Sequence, residues 1–200
     1  MISLIGLPGS GKSTVGRQLA RRLNLPFIDS DAEIEKRLGC SIREYFEREG
    51  ETAFRDVEQA VIADLCMAHN SAATAAVLST GGGTVLREAN RATLRANGHV
   101  VYLRSSPDGV FKRLRHDRNR PLLQVGDPLQ RLRDLYAVRD PLYRETAHYV
   151  VETGRPSVAA LVNTIIMQLE LAGVKLMGVN SVDGSLASTH LADSTQRPKP

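Results

Sequence analysis

The residue pattern predicts an α/β fold: a doubly wound five-stranded parallel sheet with helices on both faces. Three observations predict it. Short apolar runs alternate along the chain with stretches of helical period, the signature of strand–helix–strand units. The runs themselves are apolar on successive residues, as strands covered on both faces must be. A glycine-rich segment joins the first run to the first helical stretch, and a second glycine cluster follows the third run.

The elements follow in order. Residues 2–5 form a buried strand that ends in a glycine loop, and Val15, Leu19, Ala20 and Leu23 then mark a helix beginning near Lys12. Residues 26–29 are a second short strand. Ser30 with Glu33 reads as a capping box opening a helix through Leu38, closed by Gly39. Ser41 with Glu44 repeats that signal, and Phe54, Val57, Val61 and Leu65 continue at a spacing near 3.6. Residues 76–79 form a third strand ending in Gly81-Gly82-Gly83, and a helix near 87–96 precedes a fourth strand at 99–103. Pro107 marks the start of a helix reaching Leu114. Asp127-Pro128 is an N-cap followed by proline at the first helical position, and the helix so opened is expected to stop before Pro141. Residues 149–151 are the fifth strand. Pro156 is expected to open the last helix, with Val158, Leu161, Val162, Ile165 and Leu169 on one face and Gly173 as its stop. The folded domain is thus expected over residues 1–173. From Val174 to Pro200 small and polar residues dominate without an apolar period, which predicts a disordered tail.

Composition narrows the function. Aromatic residues are 4% of the chain and tryptophan is absent, a poor supply for a base-stacking surface, so nucleic acid is not an expected partner. The net charge of +4 favours anionic ligands. Much of the surplus sits between Arg104 and Arg120, where the run 115–120, followed by Pro121 and Gly126, reads as a mobile arginine-rich lid. Two cysteines, Cys40 and Cys66, lack metal-ligand spacing and suggest no disulfide framework. No apolar run is long enough to span a bilayer, and the N-terminus lacks the pattern of a signal peptide. A cytoplasmic location is the expectation.

Gly6-Leu7-Pro8-Gly9-Ser10-Gly11-Lys12-Ser13 matches the phosphate-binding pattern G-x-x-x-x-G-K-[ST] in full, which makes the fold of P-loop NTPase type. Glycines let the main chain curl so that successive N–H groups point at phosphate oxygens, and the following helix adds the positive end of its dipole. Lys12 is placed to reach the β- and γ-phosphates and the Ser13 hydroxyl to hold Mg²⁺. Other nucleotide-binding classes fit less well. No Asn-Lys pair reads guanine, and Thr84-Val85-Leu86-Arg87 does not supply the acidic strand end that transporter ATPases place after a signature of the Ser79–Gly83 kind. A small-molecule kinase needs a further metal contact, an acceptor pocket and a basic lid. Asp29, at a strand end, suits the first, and Asp31 could face an acceptor hydroxyl.

With these residues assembled, the chain resembles the shikimate kinase family over about residues 2–171. The resemblance rests on ordered motifs: Gly6 to Thr14, Phe27-Ile28-Asp29-Ser30-Asp31, Gly50-Glu51-Thr52-Ala53-Phe54-Arg55, Ser79-Thr80-Gly81-Gly82-Gly83, Asn119-Arg120-Pro121-Leu122-Leu123 and Arg139-Asp140-Pro141-Leu142-Tyr143. It implies transfer of the ATP γ-phosphate to the 3-hydroxyl of shikimate by a monomer. Gly9, Ser10, Gly11, Lys12, Ser13 and Thr14 would hold ATP, with Ser13 and Asp29 on Mg²⁺. Asp31 would lie beside the attacking hydroxyl, as base or as orienting group. Arg55 and Arg139 would take the carboxylate, and Gly81, Gly82 and Gly83 would approach the ring. Arg120 would close with the lid onto the phosphates, and Arg113, Arg155 and Pro156 would flank adenine. Lys12, Asp31 and Arg120 are then the catalytic set. The tail from Val174 has no counterpart in the resemblance.

Overall fold

The computed structural model describes residues 1–71, 73–114, 127–174 and 176. Five strands, β1 (Ile2–Ile5), β2 (Phe27–Asp29), β3 (Val77–Ser79), β4 (His99–Arg104) and β5 (Tyr149–Glu152), form one sheet in the order β2-β3-β1-β4-β5. Every pairing is parallel, with Ile2 opposite both Val77 and His99. The connecting helices are α1 (Lys12–Leu23), α2 (Ser30–Leu38), α3 (Ile42–Ala68), α4 (Glu88–Ala96), α5 (Pro107–Leu114), α6 (Pro128–Thr146) and α7 (Val158–Leu171), with a 3₁₀ turn at Thr84–Leu86.

Strand alternation divides the core into two layers. Leu4, Val101 and Leu103 face one way, into a cluster with Val15, Leu19 and Leu23 of α1 and Leu161, Val162 and Ile165 of α7. Ile5, Val100 and Tyr102 face the other, against Leu94 of α4, Val110 of α5 and Leu132 and Tyr143 of α6. Ile34, Phe54 and Val61 bind α2 to α3 in a smaller cluster. β1 is flanked by β3 and β4, so chain order reverses around it. In such sheets ligands bind outside the carboxyl ends of the strands at that point.

Several boundaries differ from expectation. Ser30 is not an N-cap. Asp29 caps α2, accepting from the Asp31 N–H, and the Ser30 hydroxyl instead accepts from the Gly81 N–H at 3.0 Å. The box at Ser41 and Glu44 does form, but α3 then runs to Ala68 with a kink at Gly50, where φ is 82°. Pro141 does not end α6, which continues through it to Thr146. An interior proline costs about 3 kcal/mol. Beyond it, however, Tyr143 is fully buried and Leu142 packs on the same cluster, and burial of two such side chains offsets a loss of that size. Pro156 precedes α7 rather than opening it, because Ser157 is the cap, accepting from the Ala160 N–H at 3.2 Å. Gly173 follows α7 at φ 77°, as a stop should.

The region expected as a tail begins packed. The Val174 N–H donates to the Leu169 carbonyl at 3.0 Å, and Val174 and Leu176 lie against the α1–α7 cluster. The rest of that region, like the segment read as a lid and its Arg120, lies outside the described residues. Among the described residues no helix is long and apolar enough to cross a membrane, and both cysteines are free.

Candidate active site

β1 delivers the phosphate loop to the carboxyl edge of the sheet. Gly11 stands at φ 97°, a left-handed conformation that glycine adopts without penalty, and it is the N-cap of α1 with no side-chain cap. The first-turn amides of a helix have no partners within the helix, so those of α1 are available to an anion. Lys12 is buried, and its ammonium donates to the Gly6 and Leu7 carbonyls at 2.8 and 2.9 Å, which holds it across the loop. The Ser10 hydroxyl, also buried in the loop, has no hydrogen-bond partner among the described residues.

Strand ends gather the next groups. The Ser13 hydroxyl donates to Asp29 Oδ2 at 2.9 Å and lies 3.3 Å from the Ser79 hydroxyl. Three hard oxygen donors from α1, β2 and β3 therefore meet at one point. This set with a single carboxylate fits Mg²⁺, which keeps waters and phosphate oxygens as ligands and is seldom caged by protein alone. Among the described residues no group of three or more His, Cys, Asp or Glu forms an alternative centre.

Asp31 opens toward the same cleft. Burial of its carboxyl group, with Asp29 nearby, pushes its pKa up to about 6 against the pull of Lys12. The residue as a whole remains exposed, so this is the partial desolvation of a cleft wall and not a dry core.

The triple glycine makes the opposite wall by close approach. A Cβ on Gly81 would stand 2.7 Å from Asp31 Oδ1, one on Gly82 2.6 Å from Pro8 Cδ, and one on Gly83 2.4 Å from Arg55 Nη2. Each glycine thus admits one neighbour: the Asp31 carboxylate, Pro8 of the glycine loop, or the Arg55 guanidinium. Arg55 in turn donates to buried Glu58 at 2.7 Å and to Glu51 at 3.0 Å. Burial opposes its charge, but Glu58 and Glu51 outweigh that and raise its pKa. Arg139 reaches across from α6 and donates to the Gly82 carbonyl at 3.0 Å.

Gly9 to Thr14, Asp29, Asp31, Ser79, Thr80, Gly82, Arg113 and Pro156 all line one cleft of about 680 Å³. Arg113, on α5, donates to the Ser105 hydroxyl at 2.8 Å, and burial lowers its pKa. Arg55, Gly81, Gly83 and Arg139 form the adjoining wall, tied to the cleft through Asp31 and Gly82. Arg155 is exposed and does not line the cleft.

Sequence reasoning missed several participants. Glu58 sits one turn after Arg55 and also accepts from the Thr84 hydroxyl at 2.8 Å. The i, i+3 spacing to Arg55 is a signal that could have exposed it. Ser30, read as a cap, instead anchors the triple glycine through the Gly81 N–H. The Tyr143 hydroxyl shares the Gly82 carbonyl with Arg139. Ser105 and Thr153, buried and hydrogen-bonded to each other, carry no motif at all.

Comparison with known proteins gives a consistent result. The shikimate kinase family profile matches residues 8–170. A shikimate kinase of Paracidovorax citrulli is 62% identical over 175 residues, covering 87% of this chain and 94% of that protein. The structure of a shikimate kinase from Acinetobacter baumannii in complex with shikimate superposes with a TM-score of 0.79 at 44% identity, covering 87% of this chain and 94% of that one. A shikimate kinase from Aquifex aeolicus gives 0.73 at 36% identity, over 86% and 98% of the respective chains.

Proposed function

The chain belongs to the shikimate kinase family, and from that premise we propose how its residues divide the work. The reaction is transfer of the ATP γ-phosphate to the 3-hydroxyl of shikimate, giving shikimate 3-phosphate. The observation that carries the assignment of roles is the contact between Gly82 and Pro8. It joins the acceptor wall to the phosphate loop, so that acceptor and donor lie side by side at the open edge of β1 and β3.

Gly9, Ser10, Gly11, Lys12, Ser13 and Thr14 hold the triphosphate through loop amides, the Lys12 ammonium and hydroxyls. Ser13 and Asp29 would hold Mg²⁺. When bound, Mg²⁺ supplies positive charge to the phosphate oxygens. Arg55 and Arg139 take the shikimate carboxylate, for which the planar guanidinium fork is suited. Asp31 accepts a hydrogen bond from the 3-hydroxyl, aims its oxygen in line at the γ-phosphorus, and takes the proton as the O–P bond forms and the bond to the ADP oxygen breaks. A carboxylate held near pKa 6 is still ionised at neutral pH yet is a better proton acceptor than an ordinary one. The loose character of phosphoryl transfer makes this help modest, and neutralisation of the transferring group by Lys12 and by Arg120 the larger part. Arg113 and Pro156 stand against the adenine ring, with Arg155 beside them on the same segment. The working unit proposed is a monomer in the cytoplasm, and an aromatic content of 4% argues against a base-stacking surface for nucleic acid.

Arg139→Ala tests the acceptor assignment. Loss of a charge-assisted pair is worth about 1.5–3 kcal/mol, so shikimate should bind roughly 10- to 100-fold more weakly while ATP affinity stays at the parent value. Equal losses for both ligands, read by calorimetry, would make Arg139 a structural residue.

A further inference from the structure

The Gly82 carbonyl receives two donors from one helix. Arg139 Nη1 lies 3.0 Å from it and the Tyr143 hydroxyl 2.5 Å. The two residues are four apart on α6 and therefore share a face. A carbonyl oxygen has two lone pairs, and both are taken here. Pro8 of the phosphate loop closes the other side of the same glycine. Gly82 is thus pinned between the loop that carries the donor and the helix that carries Arg139.

Tyr143 is itself fixed. Its ring is fully buried and lies against Tyr102, centroids 4.9 Å apart. The Tyr102 hydroxyl donates to Asp140 at 2.7 Å, and Asp140 also accepts from Arg144 at 2.7 Å, so the residue next to Arg139 is held from two directions. The Tyr143 hydroxyl therefore has one rigid approach to Gly82, whereas a long arginine side chain reaches the same atom by many rotamers.

We propose that Tyr143 is a positioning residue for acceptor binding: its hydroxyl fixes the Gly82 carbonyl at the point where Arg139 Nη1 must dock. With Nη1 committed there, Nη2 and Nε of Arg139 form the edge presented to a carboxylate. The ring geometry makes that edge single-valued before the acceptor arrives, and preorganisation of this kind is gained as affinity. This inference rests on the proposed role of Arg139.

Tyr143→Phe removes the hydroxyl and keeps the ring on Tyr102. The Gly82 carbonyl retains Arg139, so no buried acceptor is orphaned. Loss of one such hydrogen bond corresponds to about fivefold in a binding constant. The expected result is a KM and Kd for shikimate raised about three- to tenfold, an unchanged Kd for ATP, kcat within twofold of the parent, and a Tm within a few degrees. Tyr143→Phe combined with Arg139→Ala should bind shikimate no more weakly than Arg139→Ala alone, because the tyrosine acts through the arginine. An unchanged shikimate affinity in Tyr143→Phe, or a parallel fall of ATP and shikimate affinity with a large drop in Tm, overturns the proposal. Arg139→Ala separates the two readings. If it spares shikimate binding, the acceptor assignment fails. If it weakens shikimate binding and Tyr143→Phe does not, only the positioning role fails.

Discussion

Asp31 shows how one side chain ties chemistry to stability. Its carboxyl group titrates at about 6 in the folded chain, against about 3.9 for an unperturbed aspartate. If the ionised form assists the 3-hydroxyl, kcat/KM for shikimate should rise with pH through about 6 and level off above it. Asp31→Asn should lower kcat by roughly 10- to 100-fold, at or below the low end of general-base help, and abolish that limb. A raised carboxyl pKa also means that the folded state binds the proton more tightly than the unfolded state. Stability contributed by this group is present at low pH and is lost as pH climbs from about 4 past 6. Asp31→Asn should therefore raise Tm at pH 7.5 and leave it unchanged near pH 4, as thermal melts at the two pH values would show. An Asn variant less stable than the parent at pH 7.5 would contradict the strained-carboxylate reading. At this scale the sequence is most legible where one loop supplies every group. Lys12, Ser13 and Asp29 were readable because their spacing is set by a single turn and one strand. Glu58 was not, because its importance depends on being buried between Arg55 and Thr84, groups 3 and 26 residues away.

Helix α6 illustrates what local rules omit. Proline favours a helix end, and Pro141 predicts one, but the buried side chain of Tyr143 and the partly buried one of Leu142 carry the helix on. The same override moved the cap of α2 from Ser30 to Asp29, since the Ser30 hydroxyl is engaged by the Gly81 amide, 51 residues distant. Capping signals and tertiary partners compete for the same atoms, and only the fold says which prevails. Where no tertiary partner intrudes, as at Ser41 and Glu44 on the surface, the motif alone suffices. The end of α6 carries its own pH sensitivity. His148 Nδ1 accepts the Val100 N–H at 3.0 Å, which requires the neutral ring on that side. Burial lowers its pKa, with Arg95 and His99 adding to the effect. A depressed histidine pKa gives stability that is present above the unfolded value, about 6.5, and is lost as pH falls. His148→Asn, which can still accept a hydrogen bond, should flatten the fall in Tm between pH 7 and pH 5. An unaltered slope would place the acid sensitivity elsewhere.

Across the whole molecule, the five parallel strands and the helices on both faces were legible because the strands are short apolar runs that alternate with helical periods, whereas the order β2-β3-β1-β4-β5 comes from the structure alone. The position of the site followed, since the glycine loop must leave β1 where chain order reverses. The relation between the two halves of the site was not legible. The sequence separates Pro8, Gly82 and Arg139 by long stretches, and only the fold stacks them into one wall. That arrangement bears on specificity. Two arginines beside an aspartate suit a polyol with one carboxylate over a nucleoside monophosphate, and the close-packed wall at Gly81, Gly82 and Gly83 suits a ring over the open chain of gluconate, so shikimate should outpace both in an acceptor panel, with kcat/KM higher by about 10²-fold. Comparable turnover on gluconate would mean that the wall does not read the ring.

The most direct test of donor and acceptor meeting at the phosphate loop is ADP release by the purified protein with Mg²⁺ and ATP, measured with and without shikimate. The expected result is release that depends on shikimate, with one shikimate 3-phosphate formed per ADP, and its disappearance in a Lys12→Ala variant whose circular dichroism and melting curve remain those of a folded protein. Release that ignores shikimate, or that survives in the folded Lys12→Ala variant, would contradict the account.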